Sequence, residues 1–412
     1  MKKLFNKING WFYDAGRVFR NEWRLVFKDF GVMLFFLALP LLYPVTYTLI
    51  YNPEVVTDVP VAIVDNDRSA ESRRFVRDCS AAPAIEIAGY ASNLAEARRW
   101  LYSGDVCAII VIPRDFSCNV ARNEQTNIDF YCDMSLLLRY RALYSAMTDL
   151  QLKETADITL RRIEQSGAVT AGITKMPVDQ HNNFLGDPTQ GFASFIMPGI
   201  VILILQQSMI LGITFIGGTA RERRRRNGGI DPLSVDDARS SAIVWGKALC
   251  YFIIYIPMTL YVTELIPEMF SLPRYGSPLQ YLPFLVPMLL ATAFLGQALI
   301  ILIKERETPF IIIVFTSVLF LFLSGLTWPR YAMNDLWTWM SNLVPATWGI
   351  EGFIRINSNG ATLAESARPF IAMWIQTAVY FVAAVAVMAY IKKSSKAANL
   401  ANIAKVANPN EK

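Results

Sequence analysis

Six long apolar runs, unevenly spaced, constrain this chain more than any other feature. The first covers Phe30–Tyr51 and is followed by a polar stretch, 52–191. Then come Phe192–Ile216, Ile243–Leu265, Tyr281–Ile303, Pro309–Leu326 and Phe370–Ile391 in close succession. Roughly 20 helical residues cross the hydrocarbon core of a bilayer, and a helix satisfies its own backbone hydrogen bonds there. A soluble domain has no use for six such runs. The pattern predicts an α-helical polytopic membrane protein with six transmembrane helices and one sizeable domain, outside the lipid, between helices 1 and 2.

Basic residues beside the runs give the orientation, because Lys and Arg accumulate in short cytoplasmic loops. Lys2, Lys3, Lys7, Arg17, Arg20, Arg24 and Lys28 precede the first run. Arg221-Glu-Arg-Arg-Arg-Arg226 follows the second, Lys304-Glu-Arg-Glu307 the fourth and Lys392-Lys393 the sixth. If every run spans once, these four segments share one side, both termini are cytoplasmic and the insert is extracytoplasmic. The boundaries read as 1–29, a cytoplasmic amphipathic interfacial helix; 30–51, helix 1; 52–191, an external α/β domain with a helical stalk; 192–391, helices 2–6; and 392–412, a cytoplasmic tail. Loop 217–242 falls inside and segment 327–369 outside. The first run lacks a small-x-small cleavage pattern and carries Pro40 and Pro44, so it reads as an uncleaved anchor in a bacterial inner membrane. The net charge of +5 expresses the cytoplasmic bias and calls for no nucleic acid.

Leu4, Phe5, Trp11, Phe12, Val18, Phe19, Trp23 and Val26-Phe27 recur at helical spacing among cations, the pattern of a helix lying in the membrane interface. Within the insert, Val59–Val64 is a β-branched run. Ser69 reads as the N-cap of a helix through Cys79, Asn93–Leu101 as a second helix, Val106–Ile112 as a buried strand and Ile128–Tyr131 as another. From Leu136 to about Gly167 a long polar helix forms the stalk. The fold class is thus six transmembrane helices plus an extracytoplasmic mixed α/β domain. Trp328, Trp337, Trp339 and Trp348 suit the outer interface, with 327–369 as a re-entrant pair of short helices.

Four of five cysteines, Cys79, Cys107, Cys118 and Cys132, lie in the insert, where either disulfides or buried thiols are open to them. With His181 alone and no C-x-x-C, a metal site is not expected. Asp65, Asp67 and Asp133 sit at strand ends, but no Ser–His arrangement or phosphate loop accompanies them; they read as loop and capping residues, and no catalytic site is expected. Within the spans the polar residues are Gln206, Gln207, Gln297, Thr316 and Ser317. No carboxylate lies mid-span, which argues against a proton relay. The Gln side chains either line a pathway or bond helix to helix. Trp245-Gly-Lys-Ala248 lacks the upstream glycine and the hydroxyl of a Walker A loop. Energy for transport would therefore come from another chain.

Four strings resemble the membrane subunits of type-2 ATP-binding-cassette exporters. They are Arg20-Asn-Glu22 through Lys28-Asp29 to Pro40; Val61–Asp67 with Ser69 and Ser72-Arg73; Ile112-Pro-Arg-Asp-Phe116; and Ser324-Gly325, Pro329, Trp337, Pro345-Ala-Thr347, Glu351-Gly352 and Gly360-Ala361 in order. Their order covers nearly the whole chain. The loop after the second helix keeps Arg221, Glu222, Arg223 and Pro232 of the family's pattern but replaces its middle with Arg224-Arg-Arg-Asn-Gly-Gly229. The resemblance implies a permease subunit that exports a drug, lipid, glycan or peptide and has no ATPase site of its own. A partner ATPase subunit would bind ATP and Mg. It further implies that the 217–242 loop docks in the ATPase as a coupling helix, with Glu22, Asp29, Arg221, Glu222, Arg223 and Pro232 as coupling residues. The other partners implied are a second copy or paralogue, paired through the first and fifth helices, a periplasmic adaptor and membrane lipid. Two rivals remain: a non-transporting anchor or receptor of phage-receptor or secretion-accessory type, and a four-span mechanotransmitting permease. Against them stand an insert without heptads and the five-span cluster.

Overall fold

The computed structural model describes residues 2–122, 124–165, 187, 191–235 and 237–407. The chain forms two compact units, Pro53–Asn183 and the remainder, Met1–Asn52 with Phe184–Lys412. Helix α1, Lys2–Lys28, opens the larger unit. Asp29 accepts hydrogen bonds from the Gly31 and Val32 N–H groups and so restarts the chain as α2, Phe30–Ile50. One π-turn, Leu34–Ala38, lies inside α2 and turns Phe36 fully inward.

The inserted unit is a mixed α/β domain. In chain order it runs β1 Val59–Asp65, α3 Ala70–Ala81, β2 Ile85–Tyr90, α4 Leu94–Ser103, β3 Ala108–Ile112, α5 Phe116–Arg122, β4 Asp129–Cys132 and α6 Leu137–Gln165. The sheet order is β2-β1-β3-β4; β1 pairs parallel with β2 and β3, and β4 is antiparallel to β3. The two parallel crossovers run in opposite directions along the sheet, so right-handed connections put α3 and α4 on opposite faces. Packing agrees. Val59, Val61, Ile63, Ala108 and Ile110 meet Phe75, Val76 and Cys79 of α3 on one face. Ala62, Val64 and Ile109 meet Ala97, Leu94 and Trp100 of α4 on the other. A strand covered on both sides reads as a continuous apolar run, which is why β1 and β3 stand out in the sequence. Strand β2 does not: Ile85-Glu-Ile-Ala-Gly-Tyr90 alternates, as a half-exposed edge strand does.

Ser69 accepts from Ser72 N–H at 3.0 Å and Asn93 from Glu96 N–H at 2.9 Å, the caps that start α3 and α4. Helix α6 lies along the domain over Leu143–Arg161 rather than standing clear as a stalk. Leu143 and Leu150 are buried in the core, and three ion pairs run antiparallel to α3: Asp78–Lys153 at 3.0 Å, Arg74–Asp157 at 3.1 Å and Glu71–Arg161 at 3.1 Å. The carboxylates at the strand ends close turns. Asp65 accepts from Asp67 and Arg68 N–H and from the Ser72 hydroxyl, Asp67 from Ser117, and Asp133 from Ser135. The five cysteines are free thiols, and Cys79 and Cys107 are buried. His181 lies outside the described residues.

Back in the larger unit come α7 Phe192–Arg226, α8 Ser240–Met269, α9 Pro278–Leu302, α10 Thr308–Leu323, α11 Asp335–Ser341, α12 Pro345–Asn357 and α13 Ala367–Ala407. Among the described residues five helices, α2, α7, α8, α9 and α13, are long and apolar enough to cross a membrane. The sixth apolar run gives a 16-residue helix, α10, which ends at Leu323 ahead of Gly325 at φ +85°. At 1.5 Å per residue it is about 24 Å long, short of the roughly 30 Å hydrocarbon thickness. Where six full-length spans are predicted, the described residues hold five helices of membrane length and one short apolar helix. Helix α7 is the central element, with nearly all of its apolar length buried. Phe36 of α2 packs so tightly on it that a Cβ at Gly212 would sit 2.0 Å from the Phe36 ring. Segment 327–369 holds the short helices α11 and α12. Trp328, Trp337 and Trp339 are exposed, but Trp348 is buried, with the Arg330 guanidinium 4.4 Å over its ring.

Candidate functional site at the basic end of the membrane unit

Helix α7 runs ten residues past the predicted span, through the arginine run to Arg226. Arginine is a good helix former, and cations in a last turn complement the helix dipole, so the run prolongs the helix instead of opening the loop. The described residues of 227–239 form turns and no separate helix, in contrast to the coupling helix expected there.

Most residues singled out in the sequence gather around this end of α7. Arg221 donates to the carbonyls of Ile301, at 3.2 Å, and Ile303, holding the end of α9. The Arg306 backbone N–H donates to Glu222 Oε1 at 2.7 Å, and its guanidinium donates to Asp29 Oδ1 at 2.8 Å while lying 4.7 Å over the Phe215 ring. One arginine between α9 and α10 thereby joins Asp29 to Glu222. Arg223 makes two bonds of 3.1 Å to the buried carboxylate of Asp231, whose Oδ1 also accepts from Leu233 N–H and sets the turn. Such a two-point pair fixes orientation as well as distance. Pro232 is exposed and takes no part in this network.

Glu22 is 1% exposed, although it belongs to the basic N-terminal helix. Lys247 Nζ of α8 lies 3.1 Å from it, and the Tyr251 hydroxyl donates to its other oxygen. A buried charge persists only when paired and hydrogen-bonded, and both conditions are met. The helices meet closely because Gly246 has no side chain: a Cβ there would lie 2.5 Å from the Ala15 carbonyl oxygen. Further bonds fasten α1 to the loop and the start of α8. Trp11 Nε1 donates to Ser241 at 3.1 Å, Arg17 to Asp237 at 2.5 Å, Asn21 to the Leu233 carbonyl at 2.7 Å, and Arg239 to the Lys7 carbonyl at 3.0 Å. The Arg17 hydrogen bond holds the Asp237 carboxyl below its ordinary range. Sequence reasoning missed Lys247, Tyr251, Asp231, Asp237 and Arg306. These are long-range partners, and only Arg306, sitting in the Lys304–Glu307 cluster, carried a local signal.

The intramembrane glutamines sit elsewhere. Gln206 Oε1 accepts from Ala346 N–H at 2.6 Å and so caps α12, which has no side-chain cap of its own. Gln297 Nε2 donates to the Val244 carbonyl at 3.2 Å, bonding α9 to α8. Both amide atoms of Gln207 are buried without a hydrogen-bond partner among the described residues. No group of three or more His, Cys, Asp or Glu side chains with metal-binding spacing occurs among the described residues.

The arrangement is a mechanical joint: α1, the loop after α7 and the α9–α10 turn are cross-linked by charged groups around one basic helix end. Comparison with known proteins bears on the family of the chain. Residues 30–386 match the family described as "ABC-2 family transporter protein". The chain is also 25% identical over 277 residues to "ABC transporter G family member 20" of Dictyostelium discoideum, across 62% of this chain and 34% of that relative. It thus spans about a third of that relative's length. With a family match over most of its length and several membrane-length apolar helices, the chain is a multi-pass membrane protein belonging to the ABC-2 transporter family.

Proposed function

We propose that the chain is the permease subunit of an ATP-binding-cassette exporter in a bacterial inner membrane, driven by a separate ATPase subunit that binds ATP and Mg. The observation that carries this reading is the joint at the basic end of α7. A coupling surface must be stiff enough to pass ATPase closure to the helices as a rigid-body movement. Here Glu222 and Asp29 are both tied to Arg306 between α9 and α10, Arg223 to Asp231 in the loop after α7, and Glu22 to Lys247 of α8. Pro232 and the exposed ends of Arg225 and Arg226 would face the ATPase. The basic flanks support a cytoplasmic position for this end and an external one for the α/β domain, where it would meet the cargo or a periplasmic adaptor. A second copy or paralogue would pair along α2 and α10, whose outward faces carry exposed Leu42, Ile311 and Phe315. The cargo is a drug, lipid, glycan or peptide.

Affinity purification of the full chain from mild detergent tests this. It should bring down an ATP-binding-cassette ATPase in near-equal amount, and replacing Asn227–Gly229 and Pro232 with alanine should cut recovery at least tenfold. Undiminished recovery from the altered loop would remove the docking role. Purification with no ATPase at all would favour the anchor or receptor reading.

A further inference from the structure

The inserted domain holds a cavity of about 550 Å³, bounded by α6, α3, α5, β4 and the segment 124–128. Its lining positions on α6 are 144, 147, 148, 151, 154, 155, 158 and 159, the three- and four-residue steps of a single helix face. Apolar contributions come from Phe75 of α3, Phe116 of α5, Phe130 of β4 and Met147 and Ile158 of α6. Among the described residues that line it, two are carboxylates, Glu124 and Glu154, and none is Lys, Arg or His.

Glu154 is only 8% exposed, so its charge needs a partner. The ladder between α3 and α6 does not supply one in full, because each of its three cations has a nearer carboxylate. Lys153 has Asp78 at 3.0 Å, Arg74 has Asp157 at 3.1 Å and Arg161 has Glu71 at 3.1 Å. Arg161 reaches Glu154 Oε1 only at 3.4 Å, and Glu154 Oε2 is buried with no hydrogen-bond partner among the described residues. Burial accordingly holds the Glu154 carboxyl above its ordinary range, although Arg74 and Arg161 pull it down. Three lining hydroxyls spend their proton on their own helix. Thr148 donates to the Tyr144 carbonyl at 2.9 Å, Thr155 to that of Gln151 at 2.8 Å and Thr159 to that of Thr155 at 2.8 Å. Each keeps only lone pairs to offer, so these three and the two carboxylates are all acceptors.

From this we infer that the cavity binds a small organic cation, an ammonium or guanidinium group on an apolar body, with Glu154 pairing its charge. The acceptors call for a ligand that donates hydrogen bonds and is positive, and the aromatic and aliphatic side chains call for an apolar one. A hydrated metal ion would meet the first requirement but leave the apolar lining wet. An anion would meet two carboxylates and no lining cation. The volume is within the range of small-ligand sites. Binding requires neither an ATPase nor export, so this inference and the permease reading fail separately.

The test is saturation binding of phenylbutylammonium to the full chain in mild detergent, read by ligand-observed NMR, with phenylbutanol as a neutral probe of the same shape. The cation should bind about tenfold more tightly than the alcohol. Glu154→Gln keeps the shape but removes the charge, and should bring the cation down to the level of the alcohol. Met147→Trp fills the cavity and should weaken both probes. Asp149→Asn, a carboxylate of the same helix that does not line the cavity, should leave cation binding unchanged. A melting transition recorded for each variant confirms folding, and the unaltered protein's preference for the cation is read in any case. Equal affinity for the two probes, undiminished cation binding in Glu154→Gln, or an equal loss in Asp149→Asn would overturn the proposal. Complete displacement by millimolar magnesium at constant ionic strength would assign the acceptors to a metal cation and overturn it too.

Discussion

Glu22 shows what one buried residue does to the energetics of this fold. Removing Lys247 leaves a carboxylate unpaired inside the protein, a change that costs about 3–5 kcal/mol where it has been isolated. Lys247→Ala should therefore lower the thermal midpoint of the detergent-solubilised protein by many degrees. The double change Glu22→Leu/Lys247→Met should restore most of the loss, because two apolar groups of similar volume replace the pair. A double variant no more stable than Lys247→Ala would show that the pair is not the source of the effect. Glu22 stood out only through the resemblance, and its pairing left no local trace, since Lys247 lies 225 positions away. The cysteines give a second prediction at this scale. Burial pushes the Cys79 thiol up to about 12 and the Cys132 thiol to about 11, and the thiolate is the reacting species. At pH 8 roughly one Cys79 in ten thousand is a thiolate. Exposed Cys118 should be labelled by maleimide first, Cys132 slowly and Cys79 only after unfolding, as read by peptide mass spectrometry. Rapid labelling of Cys79 in the folded protein would contradict the packing of α3.

The elements were legible where one physical signal dominated. Apolar runs of bilayer length gave the long helices, and β1 and β3 were visible because both faces of the sheet are covered. Strand β2 is hidden because edge strands alternate, and α7 outlasts its apolar run because an arginine run reads as loop although arginine sustains a helix. Helix α6 reads as a polar stalk because its buried stripe is thin, with Leu143 and Leu150 inward and charged residues facing α3. The charge ladder between α3 and α6 predicts a reversal test. Arg74→Asp should lower the melting temperature of the inserted domain's transition, and Arg74→Asp with Asp157→Arg should recover it; the gain should shrink in high salt, since the pairs are part-exposed. Packing of α2 on α7 predicts a larger effect. The Cβ of Gly212→Ala would overlap the buried Phe36 ring, and overpacking of this kind costs about 1–3 kcal/mol. Adding Phe36→Leu should relieve part of that loss. If Gly212→Ala alone is harmless, the contact between the two helices is looser than described.

At the scale of the whole molecule, the class was readable from the spacing of the runs and from the basic segments, because membrane geometry restricts both. The site was readable only in outline. Asp29, Arg221, Glu222 and Arg223 do come to one end of the unit, yet what joins them is Arg306, Asp231 and helix α1, and pairs so distant in sequence leave no local trace. Gln206 and Gln297 prove to bond helix to helix, and Gln207 keeps its amide buried without a partner. The central claim is that the basic end of α7 meets an ATPase. Photo-crosslinking in intact cells tests it most directly, with a crosslinking amino acid placed at exposed Pro232 in one variant and at exposed Tyr331 in another. An adduct with an ATP-binding-cassette ATPase from position 232, and none from 331, is the predicted result. An ATPase adduct from 331, or none from 232 in cells that carry the assembled complex, would contradict it.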